Sequence, residues 1–198
     1  MNYRLVIVGP PGAGKGTQAA GVSQRLDIPW ISTGQAFREA IASGSELGEL
    51  IASYINAGNL VPDELTDRLV ASRLDATGAK NGFLLDGYPR TLAQVEALDR
   101  MLEERQAPLD AVIELDFPDE AIVDRLLRRA EVEGRQDDTE EVIRHRIEVY
   151  HEKTQPLLDV YRKRGIVVPI DGRGTIDEVR ERLIAGCQAF SVRPRDRV

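Results

Sequence analysis

Short apolar runs and longer amphipathic stretches follow one another along the chain. Runs such as LVIV at 5–8 and FLL at 83–85 suit strands that are buried on both faces of a sheet. On this pattern we predict strands at residues 5–8, 30–32, 83–86, 111–116 and 166–170. We predict helices at residues 17–26, 33–43, 45–57, 62–76, 91–105, 118–130, 138–164 and 175–190. This alternation predicts an α/β fold with a parallel central sheet that helices cover on both faces.

Turn and cap residues set the expected ends of several helices. Thr33 is the expected N-cap of the second helix, and Gly58 is expected to end the third. Pro62 suits the first turn of the fourth helix. Pro156 is expected to break or kink the long stretch at 138–164, because proline lacks a backbone N–H and clashes with the preceding turn.

A glycine-rich loop follows the first predicted strand. Residues 9–17 read GPPGAGKGT, with Lys15 after three glycines and Thr17 after one more. A helix that starts near Gly14 leaves its first N–H groups unpaired, and these groups, the helix dipole and the Lys15 ammonium together form a site for phosphate. The Thr17 hydroxyl is placed to reach a phosphate-bound Mg²⁺. The loop therefore predicts a P-loop, the alternative being a strand–turn–helix junction that is merely rich in glycine.

A carboxylate ends another buried strand of the same predicted sheet. Asp86 follows FLL, so we expect it at the carboxyl end of the strand, close to the glycine-rich loop. A carboxylate there can hold Mg²⁺ through water, since Mg²⁺ keeps part of its hydration shell. The alternative role is that of an aspartate that caps the turn before Gly87, and the neighbouring loop favours the metal role.

Six arginines are placed where phosphate groups would be expected. Arg38 and Arg90 follow strand ends, and Arg125 and Arg129 share one helix face. A surface arginine is usually only a solvated charge, so position is what distinguishes these residues. Guanidinium groups match phosphate oxygens bidentately and stay protonated. The full set is Arg38, Arg90, Arg125, Arg129, Arg135 and Arg146.

The sequence offers no convincing pair of nucleophile and general base. The two histidines, His145 and His151, lie in a long polar helix and are expected at the surface. Phosphoryl transfer to an ionised phosphate needs positioning and charge neutralisation rather than a base. The sequence therefore favours a phosphate acceptor over a hydroxyl acceptor.

Composition narrows the class of protein further. The chain has 198 residues and a net charge of −7, which argues against a general binder of nucleic acid or of a membrane surface. Cys187 is the only cysteine, so an internal disulfide and a cysteine-rich zinc site are both excluded. The first twenty residues lack the pattern of a signal peptide, and we expect a cytoplasmic enzyme.

Several ordered motifs resemble the adenylate kinase family. They are GPPGAGKGTQ at 9–18, ISTGQAFR at 31–38, NLVPDEL at 59–65, GFLLDGYPRT at 82–91 with Gln94, and GRQDDTEEVIRHR at 134–146. The resemblance implies a P-loop three-layer sandwich with a helical insert for the nucleoside monophosphate and a short lid loop without zinc. It implies a core at 1–31, 62–128 and 139–198, an insert at 32–61 and a lid at 129–138. The implied activity is reversible Mg²⁺-dependent transfer of phosphate from ATP to AMP, giving two ADP, by a cytoplasmic monomer.

The resemblance also implies roles for individual residues. The ATP side would comprise Gly12, Ala13, Gly14, Lys15, Gly16, Thr17, Arg125, Arg129 and Gly174. The AMP side would comprise Thr33, Arg38, Asn59, Leu60, Val61, Gly87, Tyr88, Pro89, Arg90, Gln94, Arg135 and Arg146. Catalysis would fall to Lys15, Arg90, Arg129, Arg135 and Arg146, and Mg²⁺ to Asp86 with Thr17.

Position 35 departs from the family pattern and leaves alternatives open. The family usually has aspartate there, near the Mg²⁺ water network, whereas this chain has Gln35, which keeps an acceptor and loses a charge. That change is the one feature favouring a catalytically weak nucleotide-binding regulator. A UMP/CMP kinase is the other alternative, but Thr33 and Gln94 favour adenine, because the pyrimidine kinases usually carry alanine and asparagine at those positions.

Overall fold

A computed structural model describes residues 3–133 and 139–191 of the chain. It contains a five-stranded sheet in which every strand pair is parallel, with the strand order β2-β3-β1-β4-β5. The strands are β1 Arg4–Val8, β2 Trp30–Ser32, β3 Phe83–Asp86, β4 Ala111–Asp116 and β5 Val167–Asp171. The described α-helices are α1 Lys15–Leu26, α2 Thr33–Ala42, α3 Glu46–Asn56, α4 Asp63–Thr77, α5 Leu92–Glu104, α6 Asp119–Glu133, α7 Glu140–Val149, α8 Leu157–Lys163 and α9 Ile176–Ser191. The predicted α/β fold with a parallel sheet is confirmed.

Helices pack on both faces of the sheet because successive strand residues point to opposite sides. In β1, Val6 and Val8 join the core beneath α4, α5 and α8. Leu5 and Ile7, which alternate with them along the strand, join the core beneath α1 and α9. All four side chains are at most 3% exposed. The result is the predicted three-layer sandwich, with β1 buried between β3 and β4.

Two local features differ from the sequence-based expectation. The N-cap of α2 is Ser32 rather than Thr33, because the Ser32 hydroxyl accepts the Gln35 N–H while Thr33 is the first helical residue. The long predicted helix at 138–164 is broken at Pro156, as expected, since α8 begins at Leu157, but its regular α-helical part ends earlier than expected. Its first part ends at Val149, and a π-helical turn, Tyr150–Thr154, leads into α8. The i+5 bond from Gln155 N–H to Tyr150 O, at 2.8 Å, closes that turn.

Helices α2 and α3 lie between β2 and α4, and we refer to this helical pair as the insert. They approach closely at Gly48, where any Cβ would collide with the carbonyl oxygen of Ala40.

A small hydrophobic cluster joins α6 to α7 through Ile122, Leu126 and Ile143. The connection between α6 and α7 falls largely at 134–138, outside the described residues, and half of the expected lid at 129–138 falls there too, while residues 129–133 are the end of α6 rather than a loop. Within the described ranges, no helix has the length and apolarity of a membrane span.

Candidate active site

The glycine-rich loop lies between the central strand β1 and helix α1. Gly14 precedes the helix with φ +91°, a conformation that glycine adopts without strain, and no side chain caps the helix. Gly12 has φ +79°, and a Cβ on it would lie 2.8 Å from Leu126 Cγ. The first N–H groups of α1 therefore face a narrow space that admits backbone but little side chain. This is the arrangement that binds phosphate at a helix N-terminus.

The ammonium of Lys15 lies across the same loop. Its Nζ donates to the carbonyl oxygens of Gly9 and Pro10, both at 2.7 Å. The pKa of Lys15 is lowered to about 8, mainly by burial; Asp86 opposes this shift, and Arg90 and Arg129 add to it. A phosphate close to Nζ would favour the charged form, so anion binding and protonation of Lys15 reinforce each other.

Two arginines of α6 cover the loop from above. A Cβ on Gly14 would lie 2.9 Å from Arg125 Nη2, which places that guanidinium directly over the loop. Arg125 also stacks on Phe117, with its Cζ 5.0 Å from the ring centroid. Burial, and then Arg129, lower the pKa of Arg125, so the two guanidinium groups lie close enough to repel each other. An anion between Arg125 and Arg129 would relieve that repulsion.

Asp86 lies beside the loop at the carboxyl end of β3. Its side chain is 8% exposed, and its Oδ2 accepts a bond from the Ser32 hydroxyl at 3.4 Å. The Thr17 hydroxyl lines the same cavity. In the described part of the chain, no three His, Cys, Asp or Glu side chains form a metal cluster. One carboxylate with nearby hydroxyls nevertheless suits Mg²⁺, which binds through one or two carboxylates, water and substrate phosphates.

The turn after β3 is joined to the first residue of α2. Thr33, 2% exposed, donates from Oγ1 to the Gly87 carbonyl at 3.0 Å. Arg90 Nε donates to the same carbonyl at 2.9 Å. Gly87 has φ +82°, and a Cβ on it would lie 2.6 Å from Thr33 Oγ1, so this close approach requires glycine. These bonds hold Arg90 at the edge of the cavity.

The amide of Gln94 is already bonded at both ends. Its Oε1 accepts the Arg90 N–H, and its Nε2 donates to Asp63 Oδ1, both at 2.7 Å. Gln94 is 2% exposed, so these bonds fix its orientation. A glutamine amide has two donors and two acceptor lone pairs, so one N–H and one lone pair remain for a ligand.

Arginines of the insert and of α7 stand at the far side of the cavity. Arg146 Nη2 donates to the Ile55 carbonyl at 3.1 Å, at the C-terminus of α3, where partial negative charge stabilises a cation. Arg38 lies near Gly34, whose Cβ would be 3.4 Å from Arg38 Nη1. Arg90 is exposed to the open cleft, but the surrounding cleft walls desolvate it and thereby lower its pKa; Asp86 opposes this shift and Arg146 adds to it. Arg90 and Arg146 therefore form a second cationic pair.

Nearly all the described candidate residues meet in one cavity of about 900 Å³. Those that line it are Gly12, Gly14, Lys15, Gly16, Thr17, Thr33, Arg38, Asn59, Leu60, Val61, Asp86, Gly87, Tyr88, Pro89, Arg90, Gln94, Arg125, Arg129 and Arg146. Ala13 is buried beneath the loop and does not line the cavity. Gly174 does not line it either; its loop is held by Arg182, which donates to the Asp171 and Arg173 carbonyls. Arg135 lies outside the described residues.

Other lining residues did not emerge from the sequence motifs. Trp30 and Phe37 contribute aromatic surface, and Thr154 contributes a hydroxyl. Thr154 Oγ1 donates to the Arg90 carbonyl at 3.1 Å, which ties the π-helical turn to the turn after β3. A π-helical turn has no signature in the hydrophobic pattern. The one sequence signal for Trp30 was that it is the single tryptophan of the chain, in the strand predicted at 30–32.

The comparisons with known proteins agree with this geometry. A family model described as adenylate kinase matches residues 7–166. An adenylate kinase of Kocuria rhizophila is 55% identical over 185 residues, which cover 93% of this chain and 98% of that protein. One from Clavibacter michiganensis subsp. michiganensis is 54% identical over 191 residues, 96% of each chain. One from Micrococcus luteus is 53% identical over 190 residues, 96% of this chain and 92% of the other. The chain belongs to the adenylate kinase family.

Proposed function

We propose that this protein is a phosphotransferase that moves the γ-phosphoryl group of ATP to AMP, reversibly, giving two ADP. One observation carries the proposal. A single cavity brings the P-loop lysine, Lys15, together with guanidinium groups from α2, α6, α7 and the turn after β3. Joining two anionic nucleotides requires this density of positive charge, and none of these groups is suited to act as a nucleophile.

ATP would bind with its phosphates on the N-terminus of α1. The unpaired N–H groups after Gly14, the Lys15 ammonium and the pair Arg125 and Arg129 all face this position. Thr17 and Asp86 would hold Mg²⁺ that arrives with ATP, the carboxylate acting through water. The metal would supply charge neutralisation on the phosphates.

AMP would bind between the insert and the turn after β3. Thr33 and Gln94 offer hydroxyl and amide groups to a base, and the 59–61 segment borders the same space. Arg38, Arg90 and Arg146 offer guanidinium groups to the phosphate. Arg135 belongs to this set by resemblance to the family. The AMP phosphate would thus be directed towards the P-loop.

Transfer needs no proton to move. An ionised oxygen of the AMP phosphate forms a bond to the γ-phosphorus of ATP, and the bond from that phosphorus to the bridging oxygen breaks. The leaving ADP takes the electron pair. Lys15 and the arginines stabilise the charge that spreads over the transferring group. The enclosing walls keep water, a competing acceptor, away from the phosphorus.

We propose that the enzyme is a monomer, as the resemblance to the family implies. We place it in the cytoplasm, where both proposed substrates are available. Cys187 is 1% exposed, and burial raises the pKa of its thiol to about 11. The thiol therefore stays protonated at neutral pH and is a poor nucleophile. Light scattering on the purified protein at assay concentration gives the molar mass and so tests whether the enzyme is a monomer.

A coupled assay of ADP formation tests the proposed reaction. Purified protein with Mg²⁺ and ATP should make ADP with AMP, and far more slowly with UMP or CMP. Lys15→Met, which keeps the length and removes the charge, should lower kcat about 100- to 1000-fold, as loss of one preorganised donor does elsewhere. Lys80→Met, at an exposed lysine, is the matched control. Faster turnover with UMP or CMP would assign a pyrimidine kinase, and no ADP with any acceptor would reject the enzyme.

A further inference from the structure

The insert touches helix α7 through two adjacent residues of that helix. His145 Nε2 lies 2.9 Å from Asn59 Oδ1, and Arg146 Nη2 lies 3.1 Å from Ile55 O. The backbone at Gly58 packs closely against α7, because a Cβ on Gly58 would lie 3.1 Å from His145 Cδ2. The C-terminal end of α3 and the residues that follow it therefore pack against α7 and hydrogen-bond to it.

Of these two residues of α7, only Arg146 lines the cavity. His145 lies outside it and reaches the cavity through Asn59, which does line it. With Asn59 Oδ1 as acceptor, His145 must carry its proton on Nε2. Nδ1 then faces Glu148, whose Oε2 is 3.8 Å away.

We propose that His145 is a positioning residue for the AMP half of the cavity. By holding Asn59, it seats the 59–61 segment and the C-terminal end of the insert against α7, where the neighbouring Arg146 faces the incoming phosphate. The proposal rests on the proposed function, since it assigns AMP to this half. His145 touches neither nucleotide and acts on AMP only through Asn59.

The expected effect is moderate and confined to one substrate. The His145–Asn59 bond is exposed, so its loss removes at most about one ordinary hydrogen bond between the insert and α7. The fraction of protein competent to bind AMP falls accordingly, which predicts a KM for AMP about two- to tenfold higher. The KM for ATP stays unchanged, because the P-loop and α6 do not depend on this bond. The kcat stays within about twofold, because Arg146 is retained.

A double-mutant cycle with hydrogen exchange tests this proposal. His145→Ala and Asn59→Ala should each raise the KM for AMP, and the double variant should be no worse than Asn59→Ala alone. His145→Gln should restore the wild-type KM, because a glutamine Nε2 can donate to Asn59. Amide exchange at 55–61 should quicken in His145→Ala at an unchanged melting temperature. His151→Ala is the matched control, since that histidine pairs with Asp119 and Gln155 instead.

Three results would overturn the proposal. They are an unaltered KM for AMP in His145→Ala, additive effects in the double variant, or equal losses for ATP and AMP in a folded variant. A wild-type protein that forms no ADP would reject the proposed function instead. In that case the exchange rates at 55–61 still decide whether His145 seats the insert.

Discussion

Gln35 donates a hydrogen bond from its Nε2 to Glu39 Oε1 at 3.1 Å, one turn further along α2. Glu39 in turn lies 3.6 Å from Arg73 of α4. The Gln35 side chain is exposed and does not line the cavity that Asp86 lines. The uncharged residue at this family position therefore bonds within α2 at the surface, and among the described residues Asp86 is the one carboxylate that lines the cavity.

Gln35→Asp should remain active and should need less Mg²⁺ for half-maximal rate, or the same amount. An aspartate is too short to reach Glu39 and would be repelled by it, so its charge would be free to turn towards the metal water. The stability change should stay within about 0.5 kcal/mol, because the lost bond is exposed. A Mg²⁺ titration of activity measures the effect. Gln35→Asn is the matched control without the charge, and an inactive Asp variant beside an active Asn variant would contradict this interpretation.

The pKa of Lys15 predicts how ATP use depends on pH. Burial lowers that pKa to about 8 in the free protein, and only the protonated amine attracts phosphate. The kcat/KM for ATP should therefore be nearly constant below about pH 7.5. Above pH 8 it should decrease, and the decrease should approach about tenfold for each pH unit. With saturating ATP the bound phosphates raise the Lys15 pKa, so kcat/KM for AMP should stay flat to higher pH. Parallel pH profiles for the two substrates provide the measurement, and identical profiles would contradict the assignment.

The bond between Thr33 and Gly87 predicts a role in both stability and base selection. Thr33→Val removes a buried hydroxyl, but Gly87 O keeps its bond from Arg90 Nε, so the free energy of unfolding should fall by about 1 kcal/mol. The preference for AMP over CMP, as a ratio of kcat/KM, should fall about five- to tenfold. Thr33→Ser keeps the hydroxyl and should behave nearly as wild type. Denaturant unfolding and competition kinetics measure the two effects, and an unchanged ratio in the Val variant would remove Thr33 from base selection.

The sheet and the P-loop could be predicted because their signals are local and strong. The apolar runs fix the strands, and the glycines before Lys15 fix the turn that follows β1. Asp86 was placed correctly because parallel strands end at one edge of the sheet. Most of the cavity followed from these features together with the motifs of the family.

The directions of individual side chains could not be predicted in this way. Gln35 turns to Glu39 because a glutamine can bridge one helical turn, and sequence alone gives no preference between that and the metal. Thr154 reaches Arg90 through a π-helical turn whose extra residue shifts the helix register. His145 was expected to be an ordinary surface residue, since its partner Asn59 lies 86 residues away in the sequence. Each of these contacts depends on tertiary packing rather than on local pattern.

A bisubstrate ligand, two adenosines joined through a chain of phosphates, tests most directly whether one cavity takes both nucleotides. We expect one ligand bound per chain by calorimetry, with inhibition competitive against ATP and also against AMP. Bound ligand should slow hydrogen exchange both at the P-loop and in the insert, and Lys15→Met should weaken its binding. Inhibition competitive against only one of the nucleotides, or two ligands per chain, would contradict the single shared cavity.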